Sequence, residues 1–157
     1  MSLKKQNNET DNEHIVQKAE DIIVNISDIV KKLYNHFSNG LKVSLDYIQE
    51  SYAEPVDLLI LQEEERSGNK YVGGEFKLNK LNKEQYNCSY ALYFQDSNEK
   101  FTEITNKSDP LPIKYLTDDV INELNEKGKI EFEMGEPSEE SKAKYQELKN
   151  SADKENA

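Results

Sequence analysis

The chain has 157 residues, and 31 acidic against 20 basic side chains give it a formal charge of −11. That length fits one domain with short extensions, and that sign repels nucleic acid rather than attracting it. Leu, Ile, Val and Phe account for 37 residues, about 24%, above the ~20% below which so charged a chain stays disordered, while no apolar run approaches the ~18 residues of a membrane-spanning helix.

The opening residues, 1–9, are polar and aperiodic and read as a mobile lead-in. Two lysines stand there without an apolar h-region behind them, so no secretory leader is expected. Thr10-Asp11-Asn12-Glu13 is a capping box. Behind it Ile15, Ala19, Ile22, Ile26, Ile29 and Leu33 recur at spacings of three and four. Val16, Ile23, Val30 and Phe37 run beside them, and together they make the apolar stripe of a long amphipathic helix over residues 12–37. Ser38-Asn39-Gly40 is its expected stop.

The period then changes to two. Leu41, Val43, Leu45 and Tyr47 alternate with polar residues and predict a half-buried strand. Ser51–Pro55 interrupts, Val56–Leu61 is a short apolar run, and Glu63-Glu64-Glu65 follows it. Ser67-Gly68-Asn69 reads as a hairpin turn leading into a strand through Val72, Phe76 and Leu78, with Gly73-Gly74 marking a bulge. Tyr86, Cys88, Tyr90, Leu92 and Phe94 alternate without a break and predict the next strand. A tight turn at Asp96–Glu99 and a short strand over Phe101–Thr105 come after it.

Asp109-Pro110-Leu111-Pro112 must be extended, because each proline biases its predecessor away from helix. A short second helix is expected from an N-cap at Thr117, with Asp118 and Asp119 at its positive end and Gly128 closing it. Ile130, Phe132 and Met134 alternate with Glu131 and Glu133 in a last strand. Ser138–Asn150 has helix-forming composition with only Ala143, Tyr145 and Leu148 as apolar support, followed by a polar tail.

The expected architecture is α+β. A long N-terminal helix packs on an antiparallel meander of five or six strands, with a short helix before the last strand and a weak C-terminal helix. Residues 10–134 form the single domain, and residues 135–157 a weakly ordered acidic helix and tail. Successive hairpins supply the sheet, so no long crossover is required.

Candidate chemistry is sparse. Cys88 is the one cysteine, which excludes a disulfide framework or zinc finger and points to a reducing, cytoplasmic setting. It alternates with core tyrosines and has no nearby base in sequence, so it reads as a small apolar group rather than a nucleophile. His14 and His36 are too far apart along the first helix to share an ion, and no metal, cofactor or glycine-rich phosphate loop is expected.

Tyrosine is enriched at recognition surfaces, and Tyr93 falls on the strand face opposite Tyr90. The tyrosine-bearing sheet, through Tyr90 and Tyr93, with the acidic runs Glu63, Glu64, Glu65 and Glu131, Glu133, is the expected partner-binding surface. The long helix exceeds the reach of a short-stranded sheet. Its N-terminal stripe, Ile15, Val16, Ala19, Ile22 and Ile23, is therefore expected to meet a second copy in a homodimer.

In size, acidity and a helix ahead of strands the chain resembles the acidic chaperones that escort secreted effectors, a likeness without a motif. The expected function is a non-enzymatic interaction module of the adaptor, inhibitor, immunity-protein or secretion-chaperone kind, binding a basic or apolar protein surface. An accessory subunit docking through the N-terminal helix is the alternative, and a small ligand-binding domain or enzyme the third. Neither a nucleic acid nor a membrane is an expected direct partner.

Overall fold

A computed structural model describes residues 26–156. Among them are four α-helices and a five-stranded antiparallel sheet, an α+β arrangement. The expected helical stripe before Ile26, with Ile15, Val16, Ala19, Ile22 and Ile23, lies outside the described residues.

Helix α1 (Ile26–Ser38) buries Ile26, Ile29 and Leu33, the column that its three-and-four spacing predicts. The next element corrects the expected strand at Leu41–Tyr47. Only Val43 pairs there, through an isolated parallel bridge to Leu116. The Val43 N–H donates to the Tyr115 carbonyl (2.8 Å), and the Thr117 N–H donates back to the Val43 carbonyl (2.9 Å).

From Leu45 the chain is helical to Ser67 (α2), because the Ser44 side chain accepts the Tyr47 N–H at 3.1 Å and caps the first turn. Ile48, Tyr52, Val56 and Ile60 then recur every four residues on its buried side, and Pro55 sits buried within the helix. The short alternation from Leu41 to Tyr47 is outweighed by this longer helical period.

Gly68 marks no hairpin. At φ 76° it takes the left-handed conformation and donates its N–H to the Glu64 carbonyl (2.9 Å), ending α2. A turn glycine and a helix-ending glycine need the same backbone conformation, so both produce one sequence signal.

Strands β1 (Lys70–Lys80), β2 (Gln85–Gln95) and β3 (Phe101–Lys107) follow as a meander. Their joining turn at Asp96 is closed by its carboxylate, which accepts the N–H groups of Asn98 (2.8 Å) and Lys100 (2.9 Å). Leu111–Pro112 (β4) pairs with the start of β2, and a 3-10 turn at Ile113–Tyr115 leads to α3 (Asp118–Lys127), with Thr117 at its N-cap position but no side-chain capping bond, and Gly128 closing it.

The last strand, β5 (Lys129–Met134), corrects the simple meander. It crosses to the far edge and pairs with β1, giving the order β3-β2-β1-β5. Helix α4 (Glu139–Asn156) continues past the expected end at Asn150.

The sheet is apolar on one face. Tyr86, Cys88, Tyr90, Leu92 and Phe94 of β2 join Phe76 and Leu78 of β1 and Ile130 of β5 in one buried cluster with α1, α2 and α3. Tyr52 of α2 stacks on Phe76 at 4.0 Å between centroids.

The Gly73-Gly74 signal is a bulge. Tyr71 pairs with Phe94 but Gly73 with Tyr93, leaving Val72 as the extra residue. Gly74 then occupies a core-facing position without a side chain, and the Tyr71 hydroxyl passes close to it to donate to the Met134 carbonyl at 2.9 Å. A Cβ at position 74 would meet the Ala91 carbonyl oxygen at 2.7 Å and the Tyr71 hydroxyl at 2.9 Å. Gly74→Ala should therefore lower the free energy of unfolding by about 1–3 kcal/mol, as overpacking against backbone does. A urea titration reads this directly, and an unchanged midpoint would mean that β1 and β2 part there without cost.

Candidate functional site

The face of the sheet turned away from this cluster is polar. Register places Lys77 beside Ser89 and Glu131, Glu75 beside Ala91 and Glu133, and Gly73 beside Tyr93. On the other side of β2, Ala91 pairs with Thr105 and Tyr93 with Glu103. Ser89 and Ala91 are small, so the middle of this face is lower than its surroundings. The result is an open hollow of about 570 Å³, bounded by Glu75 and Lys77 on β1, Tyr93 on β2, and Glu103, Thr105 and Lys107 on β3.

Its charges are partly paired. Lys77 Nζ lies 3.0 Å from Glu75 Oε1, and Lys129 Nζ lies 2.8 Å from Glu131 Oε1. The hydrogen bond to Glu75 raises the Lys77 pKa, and that from Lys129 lowers the Glu131 pKa. Tyr93 is held in its neutral form by partial desolvation first and then by the Glu75 and Glu103 carboxylates. The hollow thus offers a neutral phenol, two carboxylates and two ammonium groups, a surface suited to a polar or cationic side chain with an apolar stem.

Tyr93, Glu131 and Glu133 share this face. Tyr90 does not: its side chain belongs to the core cluster and is 6% exposed, although the residue borders the hollow between Ser89 and Ala91. The Glu63–Glu65 run lies elsewhere, at the end of α2, and each carboxylate there has a partner. Glu63 binds Arg66 at 2.8 Å, and Glu64 accepts the Tyr71 N–H at 2.9 Å, tying the helix end to β1. Glu65 accepts the Tyr145 hydroxyl at 2.6 Å and pairs with Lys149, tying α2 to α4. Asp57, two turns earlier, accepts the Ser138 N–H (3.2 Å) and the Ser141 hydroxyl (2.7 Å).

The residues missed by sequence reasoning are Glu75, Lys77, Ser89, Ala91, Glu103, Thr105 and Lys107. The small residues at 89 and 91, in phase with Tyr93, were the available signal.

Cys88 is fully buried, and desolvation pushes its pKa up to about 12. His36 stacks on Tyr47 at 3.8 Å, with its Nε2 3.1 Å from the Lys42 carbonyl. Among the described residues no group of three or more His, Cys, Asp or Glu side chains is placed to hold a metal ion, and no helix is long and apolar enough to cross a membrane. Compared with protein families, curated proteins and solved structures, the chain matches none.

The Glu65 carboxyl has its pKa lowered from 4.5 by the Lys149 and Tyr145 hydrogen bonds, against a smaller desolvation effect. A depressed folded-state pKa stabilises the docked state above the unfolded value and loses that contribution as pH falls through the folded one. Amide exchange within 139–150, corrected for its intrinsic pH dependence, should therefore quicken below pH 4.5. Glu65→Gln should raise exchange near neutrality and flatten its acid dependence; a profile unchanged by that substitution would exclude Glu65 as the tie.

Proposed function

We propose that this protein is a non-catalytic binding module, of the adaptor, inhibitor, immunity-protein or secretion-chaperone kind, whose Tyr93-bearing sheet face docks on a protein partner. The observation that supports it is the hollow over Ser89 and Ala91, walled by Tyr93, Glu75 and Glu103 on the face opposite the core. An amphipathic ring beside a depression is the arrangement that receives an anchoring side chain at protein interfaces.

The preferred partner surface is basic or apolar. Tyr93 gives a cation a ring face, Glu103 gives it a carboxylate, and the overall charge of −11 speeds encounter with basic proteins. Binding is favoured over nucleophilic chemistry because the one thiol is a core group.

Affinity capture from native lysate, with mass spectrometry, tests the proposal when parent and variants are run side by side. The parent should retain a stoichiometric protein at physiological salt and lose it at high salt. Tyr93→Ala with Glu103→Lys should weaken the purified complex by about 30-fold, the scale of one interface hot spot, with the unfolding midpoint unchanged. Equal capture by parent and variant would remove the sheet face from the interaction.

A further inference from the structure

A second surface differs from the rest of this acidic protein. Where β2 begins, Tyr34, Pro112, Ile113 and Ile121 line a hollow of about 560 Å³ with Lys83 and Lys114 at its rim. A smaller one of about 430 Å³ adjoins it across Lys114, lined by Phe37, Leu41 and Tyr115 with Lys42.

Aromatic rings join the two. Tyr34 and Phe37 are 4.8 Å apart, Phe37 stacks on Tyr115 at 4.5 Å, and Lys114 Nζ sits 5.1 Å from the centre of the Tyr115 ring. Tyr34 is 44% and Leu41 55% exposed, so the groove presents large apolar groups to solvent. Its rim carries three lysines against one carboxylate, Glu84, the reverse of the chain as a whole.

We propose that this groove receives residues 10–25 of a second copy of the same chain. That segment carries Ile15, Val16, Ile22 and Ile23 among Asp11, Glu13, Glu20 and Asp21, with Lys18 its one lysine. Apolar anchors with a net negative charge complement an apolar groove edged by lysines.

The segment ends where the described residues begin, at Ile26, whereas Tyr34 and Phe37 stand toward the far end of α1. Within one chain the segment would have to turn back along α1 to reach them. Exchange between two copies needs no such turn, and residues 11–38 hold neither glycine nor proline, although Asn25, Ser27 and Asp28 are turn formers. This surface is separate from the Tyr93 face, and its test does not bear on that reading.

The experiment is a charge exchange read by sedimentation equilibrium of the full-length protein. The parent should be a dimer. Lys83→Glu with Lys114→Glu in one variant, and Glu20→Lys with Asp21→Lys in another, should each raise the dimer dissociation constant at least about tenfold, since each sets like charges face to face. Mixed one to one, the two variants should form a dimer again, because each segment then meets a groove of opposite sign. That recovery also shows that both variants fold. A monomeric parent would overturn the proposal, as would variants that remain dimeric alone or a mixture that stays monomeric.

Discussion

The alternation of β2 is the constraint on which the other elements depend. Tyr86, Cys88, Tyr90, Leu92 and Phe94 all point one way and are all buried, and side chains of a strand change face with every residue. A one-residue slip would expose that apolar set and bury Ser89 and Tyr93 in its place. Helices α1, α2 and α3 accordingly gather on one side of the sheet. What remains on the other side is a polar surface whose relief is set by side-chain size. The core and the candidate site are two readings of the same strand, at even and odd positions.

The carboxylates divide between two tasks. Those of the open face, Glu75, Glu103, Glu131 and Glu133, lie on strands, where register sets their spacing. Those of α2 hold the architecture together: Glu64 ties the helix to β1, while Asp57 and Glu65 hold α4. Helix α4 has little apolar support, with Ser141 buried and Tyr145 and Leu148 half-buried, so its attachment leans on these polar contacts. Exposed pairs of that sort are individually weak.

Elements with a strong local period were legible in the sequence. The β2 alternation, the Gly73-Gly74 bulge, the Asp96 turn and the limits of α3 at Thr117 and Gly128 all rest on neighbours within a few residues. Helix α2 was obscured because the Leu41–Tyr47 alternation runs into its first turn and Pro55 interrupts its pattern, while its buried residues extend around more than one side. The partner of β5 had no local signal, since pairing Phe132 with Phe76 is decided by the folded core. The same holds for the site. Tyr93 could be assigned a face from β2 alone, but Glu75 and Glu103 join it only through the registers of β1 and β3, and the Glu63–Glu65 run, expected beside Tyr93, holds neighbours at the end of α2 instead.

The two hydrogen bonds around Val43 bear on the order in which the molecule assembles. They link positions 43 and 116, 73 residues apart, whereas the β1–β2 and β2–β3 pairings close through short turns. Closing the longer loop has the greater entropic cost, so the hairpins of the meander close more cheaply than this clip. Contacts that form after the rate-limiting barrier govern how fast a protein comes apart, with little influence on how fast it comes together. A clip that closes after that barrier would make the linker between α1 and α2 the place where residence time in the native state is tuned independently of the folding rate.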